Sequence, residues 1–384
     1  MKGENVEDLV RRAQRGEPQA IATIDAADDW HLKRRTGIGG SDVAAVLGLN
    51  PDRRPIDVYL EKIGETAPFE GNERTVWGKI LEPVVAAHYL RRHGGPSECY
   101  LDGPYDTARR ADTPWHLYTL DRLILARALA GCEAAKRPPP PALIVKILEI
   151  KTHGFFGQTD YGEPGTDEVP FTNMCQTAWY SAGLGCNGGA DLAVLFDTHL
   201  YREFHVPRDA EVEGYLREEV EHFWKHHVLA RVEPTADGSA SFARYLRRRF
   251  SKTNGELLPV DADTQRLIEQ LRAVECLGRL VEDRKAELRQ TLGAMLGDAD
   301  GFDIANRERI TFKFDKRGRV NHSAVAEELA KRLGMGSKAL KELQDQHRYK
   351  AARRFLTPRV WLEDELSTVC DGATVAGLLA GADR

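Results

Sequence analysis

Between Tyr118 and Thr152 the chain puts charged side chains where a sheet needs apolar ones. Tyr118-Thr119-Leu120-Asp121 heads this stretch and Leu148-Glu149-Ile150-Lys151-Thr152 closes it. Both lie in runs, 115–125 and 143–150, whose Leu, Ile, Val and aromatic content predicts strands. Side chains alternate faces along a strand, so Glu149 and Lys151 point one way and Ile150 the other. Two acids and a lysine on a sheet face flanked by core residues are costly to bury unless they bind a cation or one another. Metal-assisted hydrolysis of a phosphodiester uses such a set: carboxylates hold Mg²⁺, and the lysine positions or polarises the attacking water. Alone, an E-x-K on a strand is more often a surface ion pair. The company it keeps decides between the two.

Composition removes several rivals. No apolar run approaches the ~20 residues of a membrane span, and residues 1–17 lack the apolar core of a signal peptide. The six cysteines are scattered without a C-x-x-C pair. That argues against zinc, an iron–sulfur cluster or a disulfide framework and suits a reducing cytoplasm, the host's own if the chain is phage-encoded. The net charge of −5 does not advertise a nucleic-acid binder, so any DNA contact must come from local patches.

Taken in order, residues 5–16 read as a short amphipathic helix. A basic run, Lys33-Arg34-Arg35, then meets the glycine-rich turn Gly37-Ile38-Gly39-Gly40-Ser41, with Ser41 placed to cap a helix ending at Gly48. Glycines before a helix N-terminus with cations alongside suit a phosphate, although an ordinary glycine-rich loop has the same spacing. Helices are predicted at 56–63 and 73–93, the second with Val76, Ile80, Val84 and His88 on one stripe. Glu82 on that helix reads either as a solvated residue or as a carboxylate reaching a metal. Residues 126–141 form the loop of a β-hairpin, and a glycine-rich acidic loop follows Lys151. The helix at 172–184 sets Gln176 and Tyr180 on one face, four residues apart. Strands at 190–196 and 201–206 and a helix at 210–229 complete an α/β core with a mixed sheet. A boundary is placed near 235–258, with the first domain taken as 1–235. Beyond it come a long charged helix at 261–296, a strand pair at 302–305 and 310–314, helices at 323–333 and 337–345, a basic run at 347–354, and a weakly patterned segment at 362–384.

Five motifs in this order carry a family likeness: Arg35-Thr-Gly-Ile-Gly-Gly-Ser41-Asp42, Trp77-Gly78-x-x-Leu81-Glu82, Leu120-Asp121, Leu148-Glu149-Ile150-Lys151-Thr152 and Gln176-x-x-x-Tyr180. Together they resemble the YqaJ-type viral recombinases, phage alkaline exonucleases related to lambda exonuclease within the PD-(D/E)XK nuclease superfamily. The resemblance covers about residues 28 to 206. It implies a restriction-endonuclease-like core, a mixed central sheet flanked by helices, with a mostly helical C-terminal extension. It implies that Asp121 and Glu149 bind Mg²⁺ (Mn²⁺ substituting), that the Ile150 carbonyl and Glu82 contribute, and that each site takes two ions. Lys151 would serve the nucleophilic water. Arg35 and Ser41 match a pocket for a 5′-terminal phosphate, Thr119 stands where a small hydroxyl residue assists, and Gln176 and Tyr180 match supporting positions.

The function so implied is a 5′→3′ exonuclease on linear double-stranded DNA that leaves 3′ tails for phage-type recombination. Its implied partners are DNA ends, a single-strand annealing protein and further copies of the chain in a trimeric ring, with no membrane. Two rivals keep the residues but change the role: a structure- or site-specific endonuclease on the same fold, and a DNA-end-binding module with purely structural carboxylates. Three departures stand out. Arg122 follows Asp121 where a glycine is often found, the loop before Glu149 is long, and residues 236–384 exceed a minimal nuclease domain of 1–235.

Overall fold

The structure is a computed structural model and describes residues 5–27, 29–66, 71–94, 100–125, 139–304, 308–311, 330–331 and 336–346. The chain divides into two compact units, Met1–Arg249 and Phe250–Arg384.

The first unit opens with helices α1 (Val6–Gln14), α2 (Pro18–Ala26), α3 (Trp30–Arg35), α4 (Gly40–Val46), α5 (Pro55–Ile63) and α6 (Glu73–Arg92). Four short strands follow: β1 (Tyr100–Asp102), β2 (Ala108–Arg110), β3 (Thr113–Tyr118) and β4 (Arg122–Leu125). Then come β5 (Ile144–His153), α7 (Phe171–Leu184), β6 (Ala190–Phe196), β7 (Leu200–Val206), α8 (Ala210–Phe223, continuing as a π turn over Trp224–Leu229) and α9 (Ala240–Arg249). The central sheet has the order β1-β4-β5-β6-β7, antiparallel throughout except for the parallel pair β5/β6. A parallel pair needs a crossover, and α7 supplies it. This is the mixed sheet with flanking helices that the sequence predicts.

Period-two alternation decides which layer each β5 residue meets. Leu148 and Ile150 pack under α6 with Val85, Ala86 and Tyr89. Ile147, on the opposite face, joins the larger core built from α4, α5, α7 and α8. Glu149 and Lys151 therefore emerge on the α7 side. The β4/β5 hairpin pairs Arg122 with Leu148, bringing the bend that carries Asp121 beside Glu149.

Helix α7 is fixed from below. The Trp179 indole N–H is shared between the carbonyls of Ile38 (3.2 Å) and Leu117 (3.0 Å), and the His116 ring stacks on it at 3.7 Å. Gly37 is required where this segment crosses β3, because a Cβ there would lie 2.4 Å from the Trp115 carbonyl oxygen.

Four expectations need correction. Helices α2 and α3 and the short strands β1 and β2 are elements that the pattern did not announce. The cap of α4 is Gly39, whose N–H donates to Asp42 Oδ2 at 3.2 Å, and Ser41 sits inside the first turn. The stripe Val76, Ile80 and Val84 on α6 faces outward, more than half exposed. The inward face is the one holding Val85, Ala86 and Tyr89, anchored where the Tyr89 hydroxyl donates to Asp191 Oδ2 at 2.6 Å. Helix α9, assigned by the sequence to the extension, belongs with the first unit, since Phe242 and Tyr245 are buried in its core.

Within the second unit the described elements are the long α10 (Ala262–Leu296), a hairpin of β8 (Gly301–Ile304) and β9 (Glu308–Thr311), and α11 (Ser337–Gln346). The loop at 126–138, most of 323–333, and the segments 347–354 and 362–384 lie outside the described residues. No helix among the described residues is long and apolar enough to cross a membrane.

Candidate active site

Glu149 is 2% exposed, and its Oε1 accepts from Lys151 Nζ at 2.7 Å and from Gln176 Nε2 at 2.6 Å. The Gln176 carbonyl Oε1 in turn accepts from Lys151 Nζ at 2.9 Å. The amide can stand only this way round, because an ammonium donates and a carboxylate accepts. One helical turn on, the Tyr180 hydroxyl lies 3.1 Å from Gln176 Nε2. Burial, and then Glu149, push the Tyr180 phenol well above its ordinary range, so it stays neutral. The Lys151 ammonium is desolvated, which favours loss of its proton, but Glu149 and Asp121 together hold its pKa above the ordinary value. Lys151 is therefore a fixed cation.

Asp121 follows Leu120 in the bend before β4. Its Oδ2 accepts the Ile150 backbone N–H at 2.8 Å, which ties the bend to the middle of β5. Desolvation, reinforced by the negative Glu149, pushes the Asp121 carboxyl up to about 8. Glu82, from α6, adds to this push but is itself engaged: its Oε1 accepts from Arg122 at 2.6 Å. Thus Asp121, Glu149, Lys151, Gln176 and Tyr180 converge, and Glu82 stands at the edge in an ion pair.

A divalent cation fits the Asp121–Glu149 pair. Glu149 Oε2 is buried without a hydrogen-bond partner, an arrangement that costs about 1–3 kcal/mol if left unrelieved. Asp121 beside it must hold a proton or a cation to be stable. The donors are oxygens of carboxylate type, which suits Mg²⁺ or Mn²⁺. Among the described residues no group of three or more His, Cys, Asp or Glu side chains forms a ready metal cluster.

The phosphate pocket expected at Arg35 and Ser41 is built differently. Arg35 is clamped through both terminal nitrogens by Glu7, at 2.8 and 2.6 Å. Arg34, its neighbour, is the arginine that reaches Ser41 Oγ, at 3.2 Å, and its guanidinium lies 5.0 Å from the centre of the Trp30 ring. Arg34, Arg53 and Lys62 all bond the fully buried Asp42, and all three also meet Glu61. Burial opposes ionisation of Asp42, but the three cations hold its carboxyl well below the ordinary range. Three cations against two carboxylates leave one positive charge uncompensated beside a cavity of about 290 Å³ lined by Trp30, Arg34, Arg35, Ser41, Arg53 and Glu61. Thr119 is exposed, with its hydroxyl 2.8 Å from that of Thr107. No hydrogen bond among the described residues joins it to Ser41.

Gly40 couples the pocket to the carboxylates. A Cβ there would lie 2.6 Å from Tyr180 Cε1 and 2.9 Å from Gln176 Cγ, so α4 rests directly on the two residues that support Glu149. Sequence reasoning missed Arg34, Asp42, Arg53, Lys62 and Gly40. The four-residue spacing of Trp30 and Arg34 was the available signal for the first of these. On the other side of Lys151, a groove of about 650 Å³ runs between α6 and the end of β5, edged by Trp77, Leu81, Thr152, His153, Phe155 and Phe156.

Residues 29–187, which contain every candidate side chain named above except Glu7, match the YqaJ-like viral recombinase domain. The uncharacterized protein YqaJ of Bacillus subtilis (strain 168) is 26% identical over 298 residues, 77% of this chain and 86% of that protein. Protein D345L of African swine fever virus (strain Badajoz 1971 Vero-adapted) is 40% identical over 58 residues, 15% of this chain and 17% of its own length. Among solved structures, the alkaline exonuclease LHK-Exo from Laribacter hongkongensis aligns with a TM-score of 0.38 at 16% identity, over 58% of this chain and 97% of that one.

Proposed function

With a YqaJ-like viral recombinase domain at residues 29–187 as the premise, we propose that this chain is a divalent-metal-dependent nuclease. Its reaction is 5′→3′ exonucleolytic hydrolysis of linear duplex DNA, which leaves 3′ single strands for recombination. The observation that carries the reading is the buried Glu149, bonded to Lys151 and Gln176 with its Oε2 lacking a partner, and Asp121 held beside it by the Ile150 N–H.

Asp121 and Glu149 would hold the cation, which when bound supplies Lewis acidity at the phosphate and acidifies a water. The rest of the chemistry belongs to the chain. Lys151 spends two of its three donors on Glu149 and Gln176, and the third is left for a water or a phosphate oxygen. Held as an ammonium between Glu149 and Gln176, Lys151 acts by charge and orientation. Gln176 fixes Lys151 and Glu149 relative to each other, and Tyr180 backs Gln176. The water oxygen joins phosphorus, the bond to the 3′-oxygen breaks, and a 5′-mononucleotide leaves. Arg34 and Ser41, with the unbalanced positive charge of their cluster, would receive the 5′-terminal phosphate and so set the end from which digestion starts. Assembly into a ring and work beside a single-strand annealing protein belong to the same reading and rest on the family likeness.

The test is digestion of an end-labelled linear duplex and a closed circle, with Mg²⁺ or with chelator, on 5′-phosphate and 5′-hydroxyl ends. Loss of the linear DNA alone, faster from the phosphate and absent in chelator, is expected. Cutting of the circle would make the protein an endonuclease. End binding without cutting under any metal would leave a binding module.

A further inference from the structure

Arg122 is the first residue of β4, paired in register with Leu148 immediately before Glu149. It is 8% exposed, and its guanidinium reaches back to the Asp121 carbonyl oxygen (2.5 Å) and across to Glu82 Oε1 (2.6 Å). A guanidinium does not lose its proton in a protein, so this is a permanent positive charge built into the rim of the carboxylate cluster. Its backbone is held in a strand and its head group bonds at two places.

We propose that Arg122 takes the place of a second metal ion, so that the site holds one divalent cation, on Asp121 and Glu149, instead of two. The inference rests on the nuclease reading above and concerns how its metal site is filled. With Asp121 ionised, as it is when a cation takes the place of its proton, three carboxylates (Glu82, Asp121, Glu149) stand against two fixed cations (Lys151, Arg122), which leaves one negative charge. One divalent ion turns that into a single positive charge, which one phosphodiester anion balances. A second ion would leave three positive charges in a half-buried site, a cost that the same phosphate cannot offset. Glu82, the third carboxylate of the set, already has a cation on it. Glu149 Oε2, which a first ion would need, has no partner.

The test counts ions directly. Mn²⁺ is titrated calorimetrically into the full chain carrying a phosphorothioate-ended linear duplex, and the filled complex is read by electron paramagnetic resonance. Wild type and Arg122→Lys should each bind one Mn²⁺ per chain with an uncoupled spectrum. Arg122→Ala, which frees Glu82, should bind two, with the coupled signal of ions about 3.5–4 Å apart. Glu82→Gln, which leaves the hydrogen-bonded core of the site untouched, should still bind one and serves if Arg122→Ala does not fold. Two ions in wild type, one in a folded Arg122→Ala, or none in Glu82→Gln would overturn the proposal. No Mn²⁺ in wild type would overturn it together with the nuclease reading, whereas two ions would leave that reading standing.

Discussion

Gln176 donates from α7 to Glu149 Oε1 on β5 across 2.6 Å, so the acid of the E-x-K motif is held by a helix from the sheet's crossover connection. The same amide accepts from Lys151, which makes one side chain the spacer between acid and lysine. Gln176→Leu should keep the fold, because the replacement is of similar size. It leaves Glu149 and Lys151 each one partner short, and turnover should fall by about 10- to 100-fold. Steady-state digestion of a linear duplex beside a thermal melt checks this, and unchanged turnover would remove Gln176 from the site.

The two adjacent arginines should separate cleanly. Arg34→Ala removes the guanidinium that bonds Ser41, Asp42 and Glu61, so it should lower the melting temperature as well as reduce the preference for 5′-phosphorylated over 5′-hydroxyl ends by about tenfold or more. Arg35→Ala breaks only the pair with Glu7 and should leave that preference intact. Competition between the two kinds of end in one digestion measures both.

Gly40→Ala should affect two sites at once. Its new Cβ must displace the Tyr180 ring and the Gln176 stem, since both lie under 3.0 Å from where it would sit. Overpacking of this kind costs about 1–3 kcal/mol. Melting temperature and turnover should fall together, with end binding retained. A stable variant with full activity would show that α4 and α7 are not coupled in this way.

Asp121 gives the metal effect a pH signature. Its folded-state pKa is raised to about 8 from an ordinary value of 3.8, by burial and by Glu149. Between these values the folded carboxyl keeps a proton that the unfolded chain has released. Without metal, this group's contribution therefore erodes as pH rises from about 4 to about 8. A cation replaces the proton, so the gain in melting temperature on adding Mg²⁺ should be larger at pH 8 than at pH 6. An equal gain at both would separate Asp121 from the metal.

His116 produces the opposite slope. Burial drives its imidazole down to about 3, so it stays neutral against Trp179 while the unfolded chain takes up a proton near its ordinary value of 6.5. Stability should thus be lost as pH falls from about 6.5 towards 3. His116→Gln should flatten that part of a denaturation-versus-pH curve, even if it lowers the curve as a whole.

Much of this geometry is legible in the chain, and the rest fails for identifiable reasons. The shared face of Glu149 and Lys151 follows from the two-residue period of a strand, and that of Gln176 and Tyr180 from the helical turn. Choosing between Arg34 and Arg35 needs the rotation of α3, which three consecutive cations do not reveal. The stripe at Val76, Ile80 and Val84 has helical spacing but lies outward, because Val85, Ala86 and Tyr89 hold the inner face. Asp42, Arg53 and Lys62 look like solvated charges in sequence. They meet only when α4, the loop after it and α5 fold together. Gly40 carries no sign of Tyr180, since the contact joins residues 140 positions apart.

The central claim is that Asp121, Glu149 and Lys151 hydrolyse DNA, and Lys151→Ala tests it most directly. Turnover of an end-labelled, 5′-phosphorylated linear duplex in Mg²⁺ should be compared with wild type, alongside melting and end binding. The account predicts a loss of at least about 100-fold in cleavage, with the fold and end binding preserved. Normal cleavage by a folded Lys151→Ala would contradict it.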